Sequence, residues 1–286
     1  MDDTKQPIKM PTQPTSNLFL LAYQDPLIWT GAPLAILLQF AAPGIALGSC
    51  AHSRFATHPL SRLRRTVIFI AAIVHGTPDQ QAAICGAVRR QHAFVRGQGY
   101  DARDAELQRW TAATIFVAMC KSRGTFGGKG AVGLRSREER GELCREFGRF
   151  ATVLDMPAEM WPASLDEFER YYEAELSRLE RGITEESGRV ARMLLFEMVL
   201  PWWLRWMLPI VRVVMVNWLP PTLREAYGLP DPAGWAMWSC YHVLVCLVHG
   251  LNQAMPAWAK GRLNGWIQKD MARAAHDIRR TGRWMV

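Results

Sequence analysis

The chain has 286 residues, 49% hydrophobic and 21% charged, so it is long enough for one large core, and 12 Trp exclude a disordered or low-complexity protein. A net charge of +8 is typical of nucleic-acid binders, but no helix-turn-helix, zinc-finger or RNP pattern accompanies it, so no nucleic-acid partner is expected.

Residues 1–17 are polar, carry three prolines and read as a flexible N-terminal arm, leaving 18–286 as a single domain. Leu27 to Ala51 then runs 25 residues without a charge, enough for a membrane span by length. Gly31, Pro33, Pro43, Gly44 and Gly48 break it, and a buried helix of about ten residues with a turn is the expectation.

From Arg62 to Arg96 two helical segments meet at a signalled corner. Gly76 closes the first, Thr77 is an N-cap, Pro78 fits the first helical position, and Gln80 completes a capping box. On the second helix Arg89, His92 and Arg96 stand at i, i+3 and i+7, one face of a 3.6-residue period, with Cys85, Val88 and Val95 beside them. On the first, Arg62 and Thr66 are continued along their face by Phe69, Ile70 and Ile73. Arginines against apolar surface need an anion, and no Asp or Glu lies between residues 26 and 78. A neutral imidazole in an apolar pocket rimmed by arginines suits haem and its two propionates; a core histidine, with the arginines paired to the later acidic segment, is the alternative.

Gly97 to Gly99 then make a turn, and Asp101 or Asp104 can cap a helix through Leu107, Trp110, Thr114 and Val117 that ends near Cys120. KSRGTFGGKGAVG fails the phosphate-loop test, because Lys129 is followed by Gly130, and is expected to be a surface loop able to act as a lid. Ser136 with Glu139, and Ser164 with Glu167, open charged amphipathic helices to about Leu154 and Arg181. The apolar stretch Met193 to Leu219 carries Glu197, Arg205 and Arg212 and is broken by Pro201 and Pro209, which points to a core or interfacial helix pair. Trp235 to Leu251 is an apolar helix with His242, Cys246 and His249 at i, i+4 and i+7, too few donors for a metal site of their own. The six cysteines form no CxxC or CxxCH, so neither a zinc ribbon nor a covalently attached haem is encoded. No secretory signal pattern is present, and an intracellular protein with reduced thiols, cytoplasmic or peripherally membrane-associated, is expected.

The segments LIWTGAP, AAPGIALGSCAHSRFATHPLSRLRRT, RRQHAFVRGQGYDARDAELQRW, SREERGELCREFGRF, PASLDEFERYY and LPPTLREAYGLP together resemble the MpaB-type oxygenases and latex-clearing proteins, the rubber oxygenases. That resemblance implies that His92 is the axial ligand of the iron of a b-type haem. It also implies that Arg62, Arg65 and Thr66 shape the catalytic side and that Arg89 and Arg96 hold the haem environment. Three departures stand out. Arg65 replaces the lysine with which the latex-clearing branch caps its iron, and a guanidinium has no lone pair to offer. The acid that branch carries upstream of the first arginine has no counterpart, so rubber cleavage is not carried over. Ala112 stands where many members have a histidine.

The expectation is an all-α, single-domain helical bundle enclosing a haem pocket. Its function would be a haem b-dependent oxygenase, with dioxygen and a hydrophobic small molecule of specialised metabolism as substrates, and with room for peripheral membrane contact. A non-catalytic haem-binding or haem-sensing protein, and a membrane-associated scaffold without haem, are the alternatives.

Overall fold

The computed structural model describes residues 18–52, 59–127 and 136–284; the arm expected over 1–17 and most of the glycine-rich loop lie outside them. The protein is an all-α single domain. In chain order its helices are α1 (Leu18–Gln24), α2 (Ala32–Phe40), α3 (Pro43–His52), α4 (Pro59–His75) and α5 (Pro78–His92). A hairpin of two-residue strands, β1 (Arg96–Gly97) and β2 (Tyr100–Asp101), follows. Then come α6 (Ala105–Phe126), α7 (Arg137–Ala151), α8 (Leu165–Arg181), α9 (Glu185–Arg192), α10 (Met207–Trp218), α11 (Pro221–Ala226), α12 (Trp235–Ala254) and α13 (Ala257–Thr281).

The charge-free N-terminal run is core. Asp25 accepts from the Leu27 N–H at 3.1 Å to start a 3-10 turn over Pro26–Gly31, and α2 and α3 then bury Leu37, Leu38, Ala41 and Ala46 almost completely. Around α6 the apolar side chains sort into two clusters. Ile68, Ile84, Phe116, Phe147 and Met271 belong to one, drawn from α4, α5, α6, α7 and α13. Leu38, Trp110, Ala191, Met215 and Leu223 belong to the other, drawn from α2, α6, α9, α10 and α11. Because α6 contributes to both, it is enclosed on nearly every side, and only Glu106, Lys121 and Gly124 along it are exposed.

Two boundaries differ from the sequence reading. The second cradle helix stops at His92, so Arg96 is not the i+7 member of a helical face; it pairs in register with Asp101 on the hairpin. The cause is the Gly97–Gly99 turn, in which Gly99 takes φ +83° and the Tyr100 ring folds to where a Cβ on Gly97 would stand. α6, in turn, runs two turns past Cys120, because Ser122 and Arg123 point inward: Ser122 Oγ donates to Leu27 O at 2.5 Å, and Arg123 meets Asp25 at 3.0 Å. The capping boxes expected at Thr77 and Ser136 are complete, while at Ser164 the Glu167 carboxylate instead accepts from the Ala163 N–H at 3.0 Å.

At Gly31 the N-terminal turn touches α6 backbone to backbone, and a Cβ there would lie 2.5 Å from Ala118 O. Gly31→Ala should therefore destabilise the protein by about 1–3 kcal/mol. Gly250→Ala, inside α12 where a Cβ meets nothing within 4 Å, should instead stabilise it by about 0.5–1 kcal/mol. Urea unfolding of the two variants checks the pair, and a neutral Gly31→Ala would contradict the close contact.

Candidate functional site at the α4–α5 corner

The corner itself is tightly made. Gln80 N–H donates to Thr77 Oγ1 at 3.4 Å, Thr77 N–H donates to Gln80 Oε1 at 2.9 Å, and Gln81 Nε2 reaches back to Gly76 O at 3.1 Å. The two helices are therefore held at one relative position, with Ile68, Ile70, Ala71, Ile84 and Ala87 buried between them and their neighbours.

α13 packs across α4 and α5, burying Ile267, Met271, Ala274 and Ile278. Arg64 secures it with a two-pronged pair to Asp270, Nε to Oδ2 at 2.7 Å and Nη2 to Oδ1 at 2.6 Å. Arg64's hydrogen bonds and charge hold the Asp270 carboxyl below its ordinary value. Arg64 thus marks the side of α4 that faces α13, and Arg62, two residues and about 200° of helix away, points elsewhere.

His92 ends α5 half-buried, and its Nδ1 is buried without a hydrogen-bond partner among the described residues. Desolvation is the main cause that lowers its pKa; Arg62 adds to the effect, while Asp155 and Asp101 oppose it, and the ring is neutral at pH 7. Arg62 itself has accessible surface, yet desolvation lowers its pKa as well.

Arg65 is partly buried with its Nε unpartnered among the described residues. Thr66 is exposed and its Oγ1 donates to Arg62 O at 3.1 Å, which leaves its lone pairs outward. So Arg62, Arg65 and Thr66 lie on one turn of α4, and Arg62 is near enough to His92 to act on its titration.

The other two expected residues are placed differently. Arg89 donates through Nη2 to Val153 O and to Leu154 O at 3.0 Å, and its Nε lies 3.4 Å from Asp155 Oδ1. It ties α5 to the loop after α7. Arg96 is exposed on the hairpin beside Asp101.

Periodicity singled out neither His75, at the corner end of α4 and so at the opposite end of the helix pair from His92, nor Asp155. His75, at the end of α4, has a buried, unpartnered Nε2, a pKa lowered by burial and an edge-on contact with Tyr23 at 5.5 Å. Asp155 lies in the later acidic segment with which the alternative reading paired the arginines, and it meets Arg89, although no spacing signal connects it to residue 89 in particular. His52, by contrast, is exposed and bonded through Nε2 to Tyr100 Oη at 2.9 Å.

An open recess of about 500 Å³ lies among Asp101, Arg103, Asp104 and Asp155. Three carboxylates on its wall suit neither an apolar substrate nor a carboxylate-bearing cofactor.

On α12, His242 Nδ1 lies 2.8 Å from Trp238 O and His249 Nδ1 lies 3.1 Å from Phe126 O, and Cys246 is exposed. Among the described residues no three His, Cys, Asp or Glu side chains come together in a way that could hold a metal ion. A macrocycle-bound iron needs only one axial donor from the protein. The donor set therefore fits haem: one desolvated neutral imidazole with an unengaged nitrogen, and guanidiniums on the neighbouring turn for propionates.

Residues 22–250 match the family described as ER-bound oxygenase mpaB/B′/rubber oxygenase, catalytic domain. Uncharacterized proteins of Mycobacterium bovis and of Mycobacterium tuberculosis are each 26% identical over 181 residues, covering 59% of this chain and 68% of theirs. No solved structure is a significant match. The matched span takes in α2 to α11 and most of α12, with the whole α4–α5 corner inside it, and this chain belongs to the mpaB/B′ and rubber oxygenase catalytic-domain family.

Proposed function

We propose that the chain is a haem b-dependent oxygenase acting on a lipophilic small molecule in specialised metabolism, with His92 as the single strong protein ligand to the iron. One observation carries the reading: His92 is desolvated, neutral and unpartnered at Nδ1 while it feels the charge of Arg62 from the adjoining helix. A neutral imidazole keeps a lone pair for coordination at physiological pH. Its second nitrogen can hold the ring's orientation through a hydrogen bond.

When bound, the haem iron supplies the centre at which dioxygen is activated. The chain's own residues bind and orient around that centre. Arg62 and Arg65 offer cations to the propionate carboxylates, and such charge-assisted bonds are stronger in a desolvated setting. Arg65 has no lone pair and so would not itself ligate the iron. Thr66 Oγ1 can accept a hydrogen bond while its own hydrogen is donated to Arg62 O. Arg89 acts at one remove, by fixing the 153–155 loop whose Asp155 bears on His92. Phe69 and Ile73, half-buried along α4, give the apolar wall that a greasy substrate requires.

Among the described residues, the carboxylates that act on His92 are engaged, Asp155 by Arg89 and Asp101 by Arg103. Asp270, which α13 brings to α4, is engaged by Arg64, and Glu197 is exposed on the π-helical turn Met193–Glu197. This favours a second reading, a haem-binding protein without turnover, as does Ala112, buried where many family members have a histidine.

His92→Ala should abolish stoichiometric haem binding while helical content is kept. Titrating haem into both proteins and recording the Soret band, with far-ultraviolet circular dichroism alongside, checks it. An unchanged band in the variant would remove His92 from the iron. A separate prediction concerns substrate: the haem-loaded protein should take up oxygen with a small lipophilic alkene or phenol and leave polyisoprene latex uncleaved, since no Asp or Glu lies between Asp25 and Asp79 to stand upstream of Arg62 as a general base. Mass spectrometry of latex incubations for aldehyde- and ketone-ended oligomers decides the second half. Abundant oligomers would mean that a distant carboxylate serves as the base, and absence of any oxygen uptake would favour the haem-binding reading.

A further inference from the structure

Seven of the chain's 12 tryptophans are exposed, and all seven lie between residues 202 and 266. Trp202, Trp203 and Trp206 precede or open α10, Trp235 and Trp238 start α12, and Trp258 and Trp266 lie on the first half of α13. Trp202 and Trp235 keep 82% and 83% of their surface. Each indole carries about 150–250 Å² of largely apolar area. Seven of them exceed the few hundred Å² of apolar patch that a typical monomer shows to water.

α12 explains why the area is left uncovered. Its 20 residues contain no Asp, Glu, Lys or Arg, and of these only Asn252 is fully buried. Trp238, His242, Val243, Leu247 and Leu251 follow one another on an exposed face at helical spacing. The helix lies against α10 through a bond from Trp218 Nε1 to Tyr241 Oη at 2.9 Å, and it runs through Met255 and Pro256 directly into α13. The exposed aromatic segments are thus neighbours in the fold.

The charges on these segments select the partner. Over residues 202–218 and 235–266 there are four charged side chains, Arg205, Arg212, Lys260 and Arg262, all of them positive. A second copy of the chain meeting the same face across a two-fold axis would set these cations against themselves. An anionic lipid surface instead supplies phosphate and carboxylate groups to the guanidiniums, a headgroup zone for the indole rings and acyl chains for Val243, Leu247 and Leu251. Among the described residues no single helix is long and apolar enough to cross a membrane, while Glu185–Glu197 and Trp202–Trp218, bent by 101°, pass together by length and composition only.

We infer that the face formed by residues 202–206, α12 and the first half of α13 docks the protein on the surface of an anionic phospholipid bilayer. This inference does not depend on haem, since none of these residues belongs to the α4–α5 corner.

The test uses the purified full chain and vesicles of phosphatidylcholine alone or mixed with phosphatidylserine. Co-sedimentation should show binding to the mixed vesicles about tenfold or more tighter than to phosphatidylcholine, and weaker at high salt. Brominated lipid should quench tryptophan fluorescence. Trp235→Ser with Trp238→Ser, and separately Arg205→Glu with Arg262→Glu, should each reduce binding about tenfold or more with circular dichroism unchanged, since all four side chains are exposed. Absence of vesicle binding by the parent chain would overturn the inference. So would a stable dimer in sedimentation equilibrium that the double tryptophan variant converts to monomer, which would give the face to a second copy.

Discussion

α6 lies between the two apolar clusters, and Trp110, Thr114, Ser122 and Arg123 along it are each tied to the segment Asp25–Gln39. Trp110 Nε1 donates to Leu38 O at 3.0 Å, Gln39 Nε2 to Thr114 Oγ1 at 3.1 Å, and Ser122 Oγ shares Leu27 O with Thr30. An enclosed helix that carries polar groups is stable only if each finds a partner, and here most of the partners come from a single stretch of chain. The Arg123–Asp25 pair, almost wholly removed from water, carries the largest penalty if broken, because the remaining charge would stay in the interior. With α6 held, one of its faces accepts α7 and the α4–α5 corner side of the core, and the other accepts α2, α10 and α12.

That arrangement separates two kinds of surface. On one side the capped corner, with α13 laid across it, gives a rigid setting in which His92 and Arg62 approach each other from different helices. On the other, α10 and α12 turn apolar and aromatic groups outward. The Arg64–Asp270 pair joins the C-terminal helix to the corner, although α13 lies beyond the span that matches the family. Asp270's depressed pKa means that its share of stability is present above the ordinary 3.8 and is lost as pH falls through the lower folded value. α13 is thus joined to the corner both by apolar packing and by an acid-labile ion pair.

The helical class, the capping box at Thr77, the N-caps at Asp104 and Ser136 and the core nature of Leu27 to Ala51 were legible because they depend on local backbone chemistry and on proline and glycine placement. That Arg62 and Thr66 share one turn of α4 and that His92 lies on α5 was legible from spacing within single helices. Arg96 was not, since the period argument assumed a helix where Gly97 and Gly99 impose a hairpin. Arg89's pairing with Asp155, and Arg64's with Asp270, join residues 66 and 206 positions apart, and no local pattern encodes such distances. The outward tryptophans were equally hidden, because an apolar helix reads alike whether its face meets a core or a bilayer.

The central claim is that His92, desolvated and unpartnered at Nδ1, coordinates haem iron. Resonance Raman spectroscopy of the ferrous, haem-loaded protein tests it most directly. An iron–histidine stretching band that shifts when the histidines are labelled with heavy nitrogen, and that is missing when Gln replaces His92, is the expected result. The same labelled band persisting in that variant would place a different histidine, such as His75, on the iron and contradict the account.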